Sequence, residues 1–174
     1  MKKLLLSALL VCSFLIVDAQ SKGDFEKSVQ TGYSYGFGDL KSSSYNVAFT
    51  YGYRINPLAY IGAGTGIGIT DGNYDRFIIP LYAIFKVNFT KTKISPYFQF
   101  NVGYTFGLNT KLNEGYSMLY SPAFGADYNM SPEKSVYFQL GVDYQGHRLF
   151  DGIEYSGFLN KYMTALNFRV GYKF

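Results

Sequence analysis

A chain of 174 residues is long enough for one domain of ordinary size, so a single architecture is expected rather than a linked pair. Aromatic residues make up 20% of it, as 18 Tyr and 16 Phe without Trp, while charged residues are only 16%, well below the share of roughly a quarter in a soluble domain. The formal net charge of +4 is mild and the basic residues form no run, which argues against nucleic acid as a partner.

The chain opens with Lys2 and Lys3, continues with the apolar run Leu4 to Val17, and then reads Val17-Asp18-Ala19 before Gln20. A basic start, a short apolar core and small residues before a cut describe an export signal, so residues 1–19 are expected to be removed and 20–174 to form the domain. Cys12 is the only cysteine. A lipid-modified Cys12 is the competing reading, but Val11 is bulky where that processing wants a small residue. With the signal gone, neither a disulfide framework nor thiol chemistry remains. No later run approaches the ~20 apolar residues of a membrane-spanning helix.

From Ser28 onward the pattern becomes strict alternation, the period of a strand with two different faces. The first segment places Val29, Thr31, Tyr33, Tyr35 and Phe37 on one face. The second sets Tyr45, Val47, Phe49, Tyr51 and Tyr53 against Asn46, Ala48, Thr50, Gly52 and Arg54. In the third, Ile61, Ala63, Thr65, Ile67 and Ile69 oppose Gly62, Gly64, Gly66 and Gly68. The fourth runs from Ile79 to Phe89, with Tyr82, Ile84, Lys86 and Asn88 on its second face. The fifth sets Phe98 to Phe106 against Tyr97, Gln99, Asn101, Gly103 and Thr105. The sixth, Tyr120 to Asn129, carries Asp127 on its polar face, and the seventh, Val136 to Gln145, carries Asp143. The eighth sets Tyr162, Leu166, Phe168, Val170, Tyr172 and Phe174 against Ala165, Asn167, Arg169, Gly171 and Lys173.

Short turns at Ile55 to Leu58, Thr90 to Lys93 and Ser131 to Lys134 alternate with longer connections at Gly38 to Ser44, Asp71 to Arg76, Gly107 to Gly115 and Gly146 to Asn160. An even strand count with alternating short and long connections predicts an all-β fold, an eight-stranded antiparallel up-and-down transmembrane barrel. Space decides which face is outside. An eight-stranded lumen is just wide enough for side chains to fill, so it has no room for the many large aromatic and aliphatic residues of the apolar face. Apolar residues therefore face lipid, and the glycines face inward, making room for neighbours such as Arg54 and Lys86. A dinucleotide fingerprint is excluded for these glycines because no helix-period segment follows Gly68. Pro80, Pro96 and Pro122 are awkward in this map: Pro122 removes a ladder donor inside segment six, which predicts a bulge or a late strand start there.

The whole mature chain resembles small eight-stranded outer-membrane proteins, the family typified by the transmembrane domain of outer membrane protein A and by outer membrane protein X. The closing residues "NFRVGYKF", with Phe168, Val170, Tyr172 and Phe174 alternating, are similar to the insertion signal of these proteins. Arg169 stands where that signal usually has glycine. The resemblance implies the outer membrane of a Gram-negative-type bacterium, periplasmic termini and turns, and exposed loops. It also implies outer-membrane lipid and the barrel assembly machinery as partners, the loops being open to an extracellular ligand.

Inward Arg54, Lys86, Asp127, Asp143 and Arg169 read either as a paired plug or as the selectivity lining of a narrow porin-like channel. Buried charge persists only when paired, which favours the plug. His147, the sole histidine, is assigned to the longest loop near Asp151, Glu154 and Ser156, where a lipid-modifying enzyme would place its site; the spacing shows no nucleophile–base geometry, and a solvated histidine is favoured. Asp71, Asn73 and Asp75 begin a calcium loop that Arg76 and Tyr82 break, since glycine and glutamate are needed there. Asn88-Phe89-Thr90 matches a glycosylation triplet at a strand end and is discounted. No cofactor is implied, and the expected role is a scaffold that presents loops for adhesion or envelope maintenance.

Overall fold

A computed structural model describes residues 24–37, 43–71, 76–108, 116–131, 133–148 and 160–174. The expected export signal, with Cys12, lies outside the described residues, as do Asn73, Asp75, Asp151, Glu154 and Ser156. Eight strands run in chain order: β1 Phe25–Gly36, β2 Ser43–Arg54, β3 Ala59–Asp71, β4 Arg76–Asn88, β5 Ile94–Leu108, β6 Tyr116–Asn129, β7 Ser135–Arg148 and β8 Asn160–Lys173. Each pairs antiparallel with the next, and β8 closes on β1, so the sheet is a closed barrel with no free edge.

The registers fix its shape. Register partners lead from Lys27 through Tyr51, Ala63, Ala83, Val102, Tyr120, Tyr144 and Thr164 back to β1 at Phe37, ten residues further along. A stagger of ten over eight strands tilts them by about 40° at ordinary strand rise and spacing. Strands of 12 to 15 residues exceed the ~9–11 that a tilted strand needs to cross a bilayer.

Alternation sorts the two faces as expected. Ile67 and Phe124 are 66% and 64% exposed on the outer wall, whereas Tyr97 and Asn167 inside have no accessible surface. Aromatic residues collect at both ends of that wall. Phe25 stacks on Tyr51 at 5.5 Å at the turn end, and Tyr33 meets Tyr45 at 4.7 Å towards the other. Girdles of this kind flank the apolar band of outer-membrane barrels.

The strands are longer than the alternation alone suggests. β1 begins at Phe25 rather than Val29, β3 includes Asp71, β4 starts at Arg76, and β7 runs to Arg148. Alternation in hydropathy requires lipid on one side, so it fades at the rims although the backbone ladder continues. His147 is consequently a strand residue, its backbone paired with Ser117 and Lys161, and not a loop residue.

Pro122 is a second correction, because β6 is continuous through it and neither bulges nor starts late. The β6–β7 ladder skips the pairs at Ser121 and Pro122 but resumes at Ala123↔Gly141 in the same register it had at Tyr120↔Tyr144. Pro80 leaves a similar gap in the β3–β4 ladder between Thr65↔Leu81 and Gly68↔Ile78. Closure on both sides holds each strand in place, so a missing donor costs a bond without shifting the register.

The short turns are built by side chains that stand in for backbone partners. At 55–58 the Asn56 Oδ1 accepts from the Leu58 and Ala59 amides at 2.8 and 2.7 Å, an Asx turn with Pro57 inside it. At 130–134 the Ser131 hydroxyl accepts from the Lys134 amide at 3.1 Å.

The glycines make room chiefly for tyrosines, rather than for Arg54 and Lys86. Tyr82 pairs across strands with Gly64, Tyr97 with Gly125 and Tyr137 with Gly171. Each ring lies over the adjacent glycine backbone, filling space that a Cβ would occupy, a recurrent way of stabilising glycine in sheets. Among the described glycines, only Gly32 serves a charged neighbour, lying under the Arg169 stem.

A Cβ at Gly64 would approach the Tyr82 ring to 2.5 Å, with further close atoms all on that same ring. Gly64→Ala is expected to destabilise the barrel by about 1–3 kcal/mol through overpacking. In a double-mutant cycle with Tyr82→Ala, urea unfolding in vesicles should show that most of this penalty disappears when the ring is absent. Additive effects of the two substitutions would contradict the Tyr–Gly packing.

Candidate functional site

The inward face from end to end of the lumen is the natural place to seek function in such a barrel. Of the five charged residues singled out from sequence, four form two pairs. Lys86 on β4 reaches Asp127 on β6 at 2.8 Å, and Arg169 on β8 reaches both oxygens of Asp143 on β7 at 2.7 and 2.9 Å. Arg54 joins neither. Its guanidinium forks onto Glu26 at 2.6 and 3.0 Å, and Lys173 reaches the same carboxylate at 3.1 Å. Sequence reasoning missed Glu26 because the alternation was read only from Ser28; its even number, shared with Ser28 and Gln30, carried the signal.

These groups occupy separate heights. Asp127 is the register partner of Tyr137, six positions along β7 from Asp143, or roughly 20 Å of strand. The lower cluster sits at the turn end, where Asn88 donates to the second oxygen of Asp127 at 2.7 Å. In the upper cluster Asp143 also accepts from Ser34 at 2.9 Å and Asn167 at 2.8 Å, while Arg169 donates to Ser121 at 3.2 Å. Satisfying the remaining lone pairs is what makes a buried ion pair tolerable.

Between the clusters lies a layer of tyrosines and amides. Gln30 donates to Tyr82 Oη at 2.9 Å and accepts from Tyr137 Oη at 3.2 Å, and the Ser28 hydroxyl bonds Thr50 at 2.7 Å and Tyr137 at 3.1 Å. The Lys86 ammonium lies 3.8 Å from the centre of the Tyr97 ring, a cation–π contact that holds it over the lower edge of this layer. Tyr60, Tyr82, Ile84 and Leu119 form an apolar cluster beside it.

Among the described residues, small internal cavities of about 30 Å³ lie beside Lys86, Asp127 and Tyr137 and beside Tyr82, Asp143 and Arg169. Each is large enough to hold water. At the turn end the lumen widens to a bowl of about 860 Å³ that borders Glu26, Arg54, Asp127 and Lys173. Among the described residues no group of three or more metal-ligating side chains comes together.

Phe168, Val170, Tyr172 and Phe174 lie on or just beyond β8, the strand that closes against β1. Phe168 and Phe174 are half-exposed on the outer wall, and Tyr172 stacks on Phe174 at 6.1 Å.

No family model matches the sequence, and no curated protein matches it. Among solved structures its neighbours are small eight-stranded outer-membrane barrels. Neisserial surface protein A superposes with a TM-score of 0.62 at 15% identity, covering 88% of this chain and 98% of that one. The outer membrane enzyme PagL gives 0.60 at 9% identity, over 83% and 97% of the two chains. The N-terminal β-barrel domain of OprF from Pseudomonas aeruginosa gives 0.52 at 13% identity, over 88% and 100%. The shared property is the fold.

The upper ion pair is buried, with side-chain exposures of 8% and 6%. Asp143→Ala, which leaves Arg169 unpaired, is expected to cost about 3–5 kcal/mol, whereas Asp143→Leu with Arg169→Met should cost much less. Urea unfolding in vesicles checks the contrast. Equal costs for the two variants would show that the pairing does not govern tolerance of these charges.

Proposed function

We propose that the chain is an integral outer-membrane protein whose barrel is a closed scaffold, with its specific role, adhesion or envelope maintenance, carried by the segments at the end opposite the turns. The observation that carries this reading is the filled lumen. Two ion-paired clusters and a hydrogen-bonded tyrosine layer leave internal cavities of only about 30 Å³ each. A conducting pore needs continuous water, and moving the plug aside would break pairs held in place by several neighbours each.

The outer wall supports the membrane part of the proposal. Its apolar band with aromatic girdles matches what an outer-membrane bilayer solvates, and closure satisfies the backbone groups that lipid could not. Export by residues 1–19 and insertion through a terminal strand bearing Phe168, Val170, Tyr172 and Phe174 belong to the same reading. So do periplasmic turns and exposed loops. Similar barrels include an enzyme as well as a surface protein, so the fold by itself does not assign the role. Rigid scaffolds commonly carry function on their loops, so this reading looks to the stretches of sequence between the described strands at that end, residues 38–42, 72–75, 109–115 and 149–159.

Single-channel recording on refolded residues 20–174 in a planar bilayer tests the closed interior. The expected result is a folded, inserted protein without stepwise conductance. Reproducible ion-selective openings would overturn it and make Arg54, Lys86 and Arg169 the candidates for selectivity.

A further inference from the structure

At the turn end of the barrel the acids are drawn inward, whereas cations lie both in the bowl and outside it. The four acids described there, Asp24, Glu26, Asp127 and Glu133, all line the bowl, together with Arg54, Lys91, Lys93 and Lys173. Lys27 and Lys134 lie outside it and are exposed. Among the described strand side chains, Lys27 is the one cation on the outer wall. It stands opposite Tyr51 in the β1–β2 register, and its carbonyl accepts from the Phe174 amide at 3.0 Å, so it is embedded in the aromatic girdle. Lys93 borders the bowl, but its ammonium lies 5.2 Å from the ring centre of Tyr128, a girdle residue 42% exposed on the outer wall. The three lysines are spread round the rim, on β1, in the β4–β5 turn and in the β6–β7 turn.

A lysine on a lipid-facing wall is tolerated near the interface, where its stem covers apolar surface and its ammonium reaches the headgroups. With the acids of this end drawn into the bowl, the rim beside the band that lipid covers carries Lys27 on the outer wall, Lys93 over the Tyr128 ring and the exposed Lys134. We propose that Lys27, Lys93 and Lys134 form a collar that binds the phosphates of anionic phospholipids in the leaflet at the turn end. The proposal rests on the chain being a membrane-inserted barrel. It adds a lipid preference that insertion alone does not require.

The test compares residues 20–174 refolded in vesicles of phosphatidylcholine alone and of phosphatidylcholine containing phosphatidylglycerol. The folding equilibrium is measured in urea by circular dichroism and by heat-dependent gel mobility. Each lysine near an anionic surface contributes roughly fivefold, so anionic lipid should favour the folded protein. The triple variant Lys27→Gln, Lys93→Gln, Lys134→Gln should lose roughly tenfold or more of that gain, and high salt should diminish it in the unmodified chain. If the triple variant does not fold, Lys27→Gln alone is expected to lose roughly fivefold. An undiminished gain in the folded variant, or no gain in the unmodified chain, would overturn the collar. Failure to insert into either vesicle would instead overturn the membrane reading beneath it.

Discussion

Eight strands staggered by ten close a lumen that side chains can fill but that few large apolar ones could share. Lumen width controls most of what is distinctive about the sequence. It sends most of the Phe, Ile, Leu and Val of the alternating strands to the outer wall, where only lipid can receive them in such numbers, and leaves few, such as Ile84 and Leu119, inside. It also explains the glycines, because a tyrosine fits inside only if the adjacent strand supplies no Cβ beneath its ring. Gly64, Gly125 and Gly171 meet that demand for Tyr82, Tyr97 and Tyr137. Packing here is therefore a relation between strands, written in two places in the sequence at once.

The same confinement governs the charges. A carboxylate buried in so narrow a lumen must collect its hydrogen bonds from the protein, and Asp143 does so from Arg169, Ser34 and Asn167. Lys86 and Asp127 face the same demand and are helped by Tyr97 and Asn88. Each cluster ties together strands that are not neighbours in the sheet: β4 with β6 in one, and β1 with β7 and β6 with β8 in the other. The polar interior thus cross-braces the barrel as well as filling it. The tyrosine layer separates the two clusters along the lumen, with a small cavity beside each.

Much of this fold was legible in the alternation of residues such as Tyr45 to Arg54 and Phe98 to Phe106, since period two with apolar residues on one face leaves few other architectures. The rims were less legible. Glu26, Lys27 and Asp71 lie where both faces meet polar surroundings, so hydropathy stops reporting the strand before the ladder ends. Partner identity was also hidden. That Arg54 belongs to Glu26 while Lys86 belongs to Asp127 depends on the registers between β1 and β2 and from β4 through β5 to β6, which no pattern within one strand encodes. Pro122 misled for a related reason, because local chemistry forecasts a break that closure of the barrel prevents. The position of His147 near the end of β7 follows from pairing with β6 and β8, neither of which its own neighbourhood in sequence reveals.

The central claim is that the apolar face of every strand meets lipid while the polar face is enclosed. Single cysteines placed in turn at Val47, Ala48, Phe49 and Thr50 of β2, in residues 20–174, which otherwise lack cysteine, would test it most directly when spin-labelled in bilayers. Accessibility to a lipid-soluble relaxation agent should be high at 47 and 49 and low at 48 and 50. Uniform accessibility, or high values at 48 and 50, would contradict the orientation of the barrel wall and the account built on it.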